Sequence, residues 1–99
     1  ELSNETYKAV ILTAERFNHD LTLQFGCLAR DCEDEVKYLA AAESLIKYLL
    51  TDENIDNDMD DIFFGNPPDK QSFYKTLNKI LANIEKVRKI PMENRKFEF

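Results

Sequence analysis

Three stretches of the chain carry apolar side chains at spacings of three and four residues, the pattern that places them on one face of a helix. They predict helices over about 4–30, 32–51 and 67–90. We expect the segment 52–66 to be a structured acidic linker and 91–99 to be a tail. Three amphipathic helices bury one shared core, so the pattern indicates an all-α, mainly antiparallel three-helix bundle.

The first predicted helix contains the one place where the number of helices is open. Its apolar stripe runs from Tyr7 to Leu28 and stays in phase throughout, which favours a single long helix that follows an N-cap at Ser3. The tripeptide Asn18-His19-Asp20 lies inside this stripe, and Asn and Asp side chains compete for backbone hydrogen bonds. A break at this point would make the bundle four-helical.

The other two helices have predicted starting points. Asp31 is the expected N-cap of the second helix, whose buried stripe would begin at Val36. Asn66 is the expected N-cap of the third helix, with Pro67 at its first position. This last helix should end before Pro91, because proline disfavours helical backbone in the residue that precedes it.

Length and composition agree with a single domain spanning residues 1–99. Apolar residues make up 43% of the chain, enough for one core, and the presence of only 2 Gly and 3 Pro argues against a turn-rich β fold. Cys27 and Cys32 form neither a C-x-x-C pair nor a disulfide framework, so we expect reduced thiols in a soluble, cytoplasmic protein. No membrane association is expected, since no apolar run is long enough to span a bilayer. The first residue is Glu1 rather than Met, so a removed signal peptide and a longer parent protein both stay open.

The formal net charge of −6 is concentrated in one segment. Six acidic residues fall within the ten positions 52–61, whereas acids and bases balance in the rest of the chain. We expect no nucleic-acid binding, because phosphate binding requires a basic surface. The third predicted helix is basic, however, with six cations against two acids over 69–90. These cations would bind an acidic partner or phosphate, or would solvate the outer face of the bundle and offset the acidic segment. They are Lys70, Lys75, Lys79, Lys86, Arg88 and Lys89.

Oxygen donors alternate along the acidic segment as they do in the calcium loop of an EF-hand. The donor positions 1, 3, 5, 7 and 9 of such a loop would be Asp52, Asn54, Asp56, Asp58 and Asp60. Asn57 replaces the glycine of position 6, and Phe63 replaces the bidentate glutamate of position 12, so that two ligand oxygens are missing. We therefore expect no metal site and no cofactor, and keep a weak calcium-binding loop as an alternative.

Catalytic groups are not evident in the sequence. His19 is the only histidine, and Cys27 lies two turns further along the same predicted helix, too far away to form a nucleophile–base pair within it. Two glycines do not build a phosphate-binding loop. We predict that the protein is not an enzyme.

Surplus aromatic side chains carry the leading functional prediction. Phe63, Phe64, Phe97 and Phe99 lie outside the main apolar stripes. Such side chains either form an exposed patch that binds a partner or cover the open end or side of the bundle. The leading hypothesis is a protein–protein interaction module, with a homodimer as one option.

An acidic inhibitor is the alternative function. In size, acidity and helicity the chain is similar to bacteriocin immunity proteins, although no motif carries this likeness. A protein of that type would bind a basic partner through 52–61, with Asp56, Asp58 and Asp60 among the contacting residues. Complementary charge of this kind accelerates association.

Overall fold

The apolar stripes fold into helices in a computed structural model that describes residues 1–97. The predicted all-α bundle is confirmed, since no strand occurs in this part of the chain. Five helices are present: α1, built from Asn4–Thr6, the π-helical Tyr7–Leu12 and Thr13–Phe17; α2, His19–Asp31; α3, Glu35–Thr51; α4, Ile55–Ile62; and α5, Lys70–Arg88. A short 3-10 turn, Met92–Asn94, follows α5.

The first predicted helix is in fact two helices, because the backbone is extended at Asn18, with φ −163° and ψ 132°. The Asn18 side chain accepts a hydrogen bond from the backbone N–H of Asp20 at 2.8 Å and so caps α2. The prediction of one long helix over 4–30 is therefore wrong. The alternative break is present, although α4 brings the number of helices in the described residues to five rather than four. Ser3 caps α1 as predicted, through a bond from the N–H of Thr6 at 3.3 Å.

Helices α3 and α5 each begin three residues later than predicted. Asp34, rather than Asp31, is the N-cap of α3, and its carboxylate accepts a first-turn backbone N–H at 2.8 Å. Asp69, rather than Asn66, is the N-cap of α5, with the equivalent bond at 3.0 Å. In both cases a carboxylate closer to the apolar stripe satisfies the unpaired N–H groups of the first turn.

The acidic segment folds as a helix rather than a loop. Within the predicted linker 52–66, α4 buries Ile55, Met59 and Ile62, which lie three and four residues apart and form one apolar face. The acidic side chains occupy the remaining faces. The apolar spacing in this short stretch therefore predominates over the helix-disfavouring Asp and Asn residues.

Helices α1 and α3 both run antiparallel to α5. Early residues of α1 meet late residues of α5, as shown by the hydrogen bond from Asn83 to the carbonyl of Ala9. Phe17, at the end of α1, stacks on Phe73 near the start of α5, with ring centroids 6.3 Å apart. The same direction holds for α3, because its first residue, Glu35, binds Arg95, which contacts Val87 at the end of α5, while Glu43 in the middle of α3 pairs with Arg88 at 2.7 Å. Helix α2 packs against α1 and α3.

One cluster of buried side chains forms the core. The prediction that Val36 begins the buried stripe of α3 is wrong, since its side chain is 63% exposed. Tyr38 is fully buried instead, and its hydroxyl donates to the carbonyl of Phe25 at 3.1 Å. The largest fully buried side chains are Tyr38, Phe25, Phe63, Phe73, Leu21, Leu39, Ile46, Leu49, Leu77, Ile80, Ile84 and Val10.

A buried ion pair joins the two ends of the chain. The Arg95 guanidinium donates to the Glu35 carboxylate and also to the carbonyls of Val87 and Ile90, at 3.0 and 3.1 Å. Glu35 in turn accepts the backbone N–H of Ser3. Burial acts to raise the pKa of Glu35, but hydrogen bonds from Ser3 and Arg95 outweigh it and hold the pKa below its ordinary value.

The tail 91–97 packs on the bundle rather than staying loose. The N–H of Asn4 donates to the carbonyl of Lys96 at 2.6 Å, and the N–H of Lys96 donates to the Glu5 carboxylate at 2.9 Å. Ser3 and Phe97 form an isolated antiparallel bridge. Within residues 1–97, no helix combines the length and the apolar character that crossing a membrane requires.

Candidate functional site

A groove lies on the surface where α1 and α5 run side by side. Its volume of about 590 Å³ falls within the range of roughly 300–1,000 Å³ typical of ligand pockets. The walls extend over three to four helical turns, so the groove is roughly 20 Å long. We call it the basic groove, and its lining residues are Glu5, Lys8, Ala9, Thr13, Arg16, Phe17, Thr76, Lys79, Asn83, Lys86, Val87 and Ile90.

The α1 wall of the basic groove contains the π-helical segment Tyr7–Leu12. Short π segments inside α-helices are rare and occur frequently at functional sites. Asn83 of α5 crosses the gap, where its amide donates to the Ala9 carbonyl at 3.2 Å and to the Thr13 hydroxyl at 3.4 Å. Thr13 in turn donates to the Lys8 carbonyl at 2.9 Å. These bonds fix the distance between the two walls.

Positive charge predominates along the groove. Its lining includes four cations, Lys8, Arg16, Lys79 and Lys86, but only one carboxylate, that of Glu5. Glu5 already accepts the N–H of Lys96, and this bond is the main cause of its lowered pKa. The five ion pairs among residues 1–97 all involve other cations. The groove therefore presents a net positive charge above an apolar floor, on a chain whose net charge is −6.

The proposed calcium-loop residues do not converge on one point. In a helix of about 3.6 residues per turn, Asp56 and Asp60 share a face, whereas Asp58 lies on another. Asp52 precedes α4, and Asn54 is its N-terminal flanking residue. Among residues 1–97 no group of three or more His, Cys, Asp or Glu side chains is arranged to hold a metal ion. The loop geometry predicted for this segment is therefore wrong, because α4 replaces it.

Two acidic side chains do meet beside Tyr48. The Tyr48 hydroxyl donates to Asp58 at 3.3 Å. The neighbouring Asp52 carboxyl, together with partial desolvation, raises the pKa of Asp58 above its ordinary value. The negative charges of Asp52 and Asp58 raise the pKa of Tyr48, as does the hydrogen bond that its hydroxyl donates to Asp58. Asp56 instead pairs with Lys70 at 2.8 Å.

The predicted aromatic patch is divided between the core and two distant places. Phe63 is fully buried and packs edge-on against Phe73, with ring centroids 5.3 Å apart, so it is a core residue rather than a surface one. Phe97 is half-buried at the opposite end of the bundle, where Arg95 contacts Val87. About 21 Å of helix α5 separates those two ends. Phe99 lies outside the described residues.

Among residues 1–97, Phe64 is the most exposed large apolar side chain, at 73%. It follows α4 with φ +53°, in the left-handed region that bulky residues rarely adopt. Gly65 is also left-handed, and its N–H donates to the Asp60 carbonyl at 2.7 Å, which ends the helix. We call Asp60, Asp61 and Phe64 the acidic projection, since both acids are exposed and lie within the last turn before Phe64.

The sequence indicated only one wall of the basic groove. The cations of α5 are recognisable as a basic helix, and Lys79 and Lys86 are among them. Lys8 and Arg16 were missed, because each is a single cation in a mixed segment. Their spacing of eight residues places them on one helix face, but the sequence alone does not show which helix lies beside that face.

We compared the chain with family models, with curated proteins and with solved structures, and found no match in any of the three. Function is therefore inferred from the geometry and charge of this molecule.

Proposed function

We propose that the protein is a non-enzymatic protein-interaction module that binds an acidic partner segment in the basic groove. The observation that carries this proposal is the combination of four unpaired cations with an apolar floor along one groove. A segment that presents an apolar side chain between carboxylates complements both features. Ala9, Phe17, Val87 and Ile90 would contact the apolar side chain, and the lysines and Arg16 would pair with the acids.

Electrostatics favour an acidic protein segment over a basic one. Cations that lack an acidic partner in the free protein lose no existing ion pair when a carboxylate binds. Such contacts at the rim of an interface act mainly on the association rate and on specificity, and salt screens them. The apolar floor adds binding energy that salt does not remove. Binding should therefore weaken, but not vanish, as ionic strength rises.

Fluorescence anisotropy with a defined probe tests the proposal. The probe is a labelled synthetic peptide in which one phenylalanine is flanked by four aspartates. We expect a dissociation constant on the order of 10–100 μM. Replacing the aspartates by asparagines, or the phenylalanine by alanine, should each weaken binding about tenfold or more.

Matched charge variants locate the binding surface. Lys79→Glu/Lys86→Glu reverses two cations that line the groove. Lys75→Glu/Lys89→Glu makes the same charge change outside the groove, at one residue of α5 and at the residue that caps its C-terminus. The first variant should bind the probe peptide at least about tenfold more weakly than the wild type, and the affinity of the second should stay within about twofold of the wild-type value. Equal losses in both would show a general charge effect and contradict the proposal.

An acidic inhibitor is the second candidate function, supported by the position of α4. Because its apolar face is packed in the core, Asp56 and Asp60 are held on a rigid helical surface rather than on a mobile loop. A lysine-rich synthetic peptide serves as the probe. If the acidic surface binds basic partners, Asp56→Asn/Asp58→Asn/Asp60→Asn should abolish binding of this peptide, and unchanged binding would refute the candidate.

The cytoplasm is the proposed compartment. Cys27 is an exposed free thiol, and Cys32 is a free, half-buried one. Free thiols are typical of a reducing compartment, where disulfides are rare. Labelling of the protein with a thiol-reactive probe in freshly lysed cells tests this proposal, with rapid modification of Cys27 as the expected result.

A further inference from the structure

We infer that the segment bound in the basic groove is the acidic projection of a second copy of this chain, so that two copies form a reciprocal dimer. This inference rests on the proposed function of the groove and names its partner. It depends on three observations: the charge of the groove, the charge and exposure of the projection, and the backbone conformation that holds Phe64 outward.

The two surfaces match in chemistry. The acidic projection presents an apolar ring, 73% exposed, three and four residues after two exposed carboxylates. The basic groove presents an apolar floor bordered by Lys8, Arg16 and other cations. Seating Phe64 in the groove would bury its ring and bring Asp60 and Asp61 to the cationic rim. Val36 is also exposed and also follows two exposed acids, but Glu33 pairs with Lys37 at 2.8 Å and Asp34 caps α3, so those carboxylates already have partners.

The backbone at Phe64 supports a role at the surface. A left-handed residue after a helix is usually Gly or Asn, because a side chain there costs about 1–2 kcal/mol. A residue in this conformation persists where the surrounding structure holds it, and such residues cluster at functional sites. Here the left-handed conformation directs the Phe64 ring toward solvent, so the ring gains no burial energy within the monomer.

Reciprocal exchange closes the assembly. If each copy places its projection in the groove of the other, both grooves are filled and the same patch is used twice, as in a twofold dimer. A single contact repeated in one direction would instead generate an open chain of copies. A reciprocal dimer has a fixed mass that does not grow with concentration beyond two chains.

Sedimentation equilibrium of the whole chain tests the inference. The decisive experiment mixes two variants in which the charges of the groove and of the projection are reversed separately. The wild-type chain should form dimers that dissociate on dilution. Lys79→Glu/Lys86→Glu alone makes groove and projection both acidic, and Asp60→Lys/Asp61→Lys alone makes both basic. Each variant should be monomeric, with a dimer dissociation constant raised at least about tenfold. An equimolar mixture of the two restores both contacts and should form a heterodimer.

Further variants and the peptide probe separate the possible failures. Phe64→Ser should also be monomeric, and Lys75→Glu/Lys89→Glu should dimerise like the wild type. Circular dichroism verifies that every variant is folded. A wild-type monomer at all concentrations, or a dimer unaffected by the groove and projection variants, overturns the inference. If the wild type is monomeric yet the acidic phenylalanine peptide still binds in the groove, the partner is another protein and the proposed function stands. If that peptide does not bind either, the proposed function fails as well.

Discussion

Arg95→Ala is expected to reduce the free energy of unfolding by about 3–5 kcal/mol, because it leaves a buried carboxylate without its cation. In the native structure the side chains of Arg95 and Glu35 are only 5% and 1% exposed. Without the guanidinium, Glu35 keeps the backbone N–H of Ser3 as its main donor. The carbonyls of Val87 and Ile90 lose a donor as well.

Arg88→Ala is the matched control, because it removes a second arginine that pairs with a glutamate of α3 near the same end of the bundle. Arg88 and Glu43 lie at the surface, with exposures of 38% and 24%, so the loss should be at most about 1 kcal/mol. For a domain of this size each kcal/mol shifts Tm by about 4–8 °C. Arg95→Ala should therefore lower Tm by at least about 12 °C, and Arg88→Ala by less than about 8 °C.

Urea denaturation followed by far-UV circular dichroism measures both losses. Because the folded pKa of Glu35 is lowered, its contribution to stability is present above the unfolded pKa and is lost as the pH falls through the folded pKa. Glu35→Gln should remove this part of the acid sensitivity. If Arg95→Ala is no more destabilising than Arg88→Ala, the terminal ion pair does not hold the tail to the bundle and the reasoning is refuted.

Three further predictions concern the groove, the core and the acidic helix. Asn83→Ala should cost about 1 kcal/mol in urea denaturation, since it removes the hydrogen bonds that join α5 to α1; no measurable loss would contradict this. Phe63→Ala should cost about 3–5 kcal/mol because the ring is buried, whereas Phe64→Gly should leave stability unchanged or raise it by up to about 1 kcal/mol by relieving the left-handed backbone. Because the pKa of Asp58 is raised in the folded state, its contribution to stability is present below the unfolded pKa and is lost as the pH rises through the folded pKa. Asp58→Asn should therefore lose less stability than the wild type over that rise in pH, as measured by Tm at successive pH values. Parallel profiles of Tm against pH for the two proteins would argue against the Asp52–Asp58 interaction.

Apolar periodicity predicted the helical class and most of the core. The stripe of α5 is the clearest case, since Phe73, Leu77, Ile80 and Ile84 are fully buried as the spacing indicates. Periodicity also concealed the break between α1 and α2. The apolar stripe continues in phase past Asn18, although the helical backbone is interrupted there. The interruption is stabilised by the hydrogen bond from the Asp20 N–H to the Asn18 side chain, which the apolar pattern does not indicate.

The acidic segment was predicted less well because charge dominated its appearance. Ile55, Met59 and Ile62 have helical spacing, but a face of three residues is short beside six acids in ten positions. Its stability as a helix comes from packing on the core, a tertiary effect that local propensity does not include.

Pairings between distant segments were beyond the sequence. Arg95 and Glu35 are sixty positions apart, and each resembles an ordinary surface charge until the fold buries both. The same holds for the basic groove, where Lys8 and Arg16 become meaningful only when α5 lies beside them. Residues of opposite or like charge that meet through tertiary packing leave no periodic signal in a single chain.

A two-dimensional ¹H–¹⁵N NMR titration tests the central claim most directly, because it shows where an acidic segment binds. The acidic phenylalanine peptide is added to the labelled wild-type chain at low protein concentration and moderate salt. Binding in the basic groove predicts saturable shifts at the backbone amides of Ala9 and Thr13 and at the side-chain amide of Asn83, with little change along α3. Saturable shifts confined to other surfaces, or no saturable shifts at all, would contradict the assignment of the groove as the binding site.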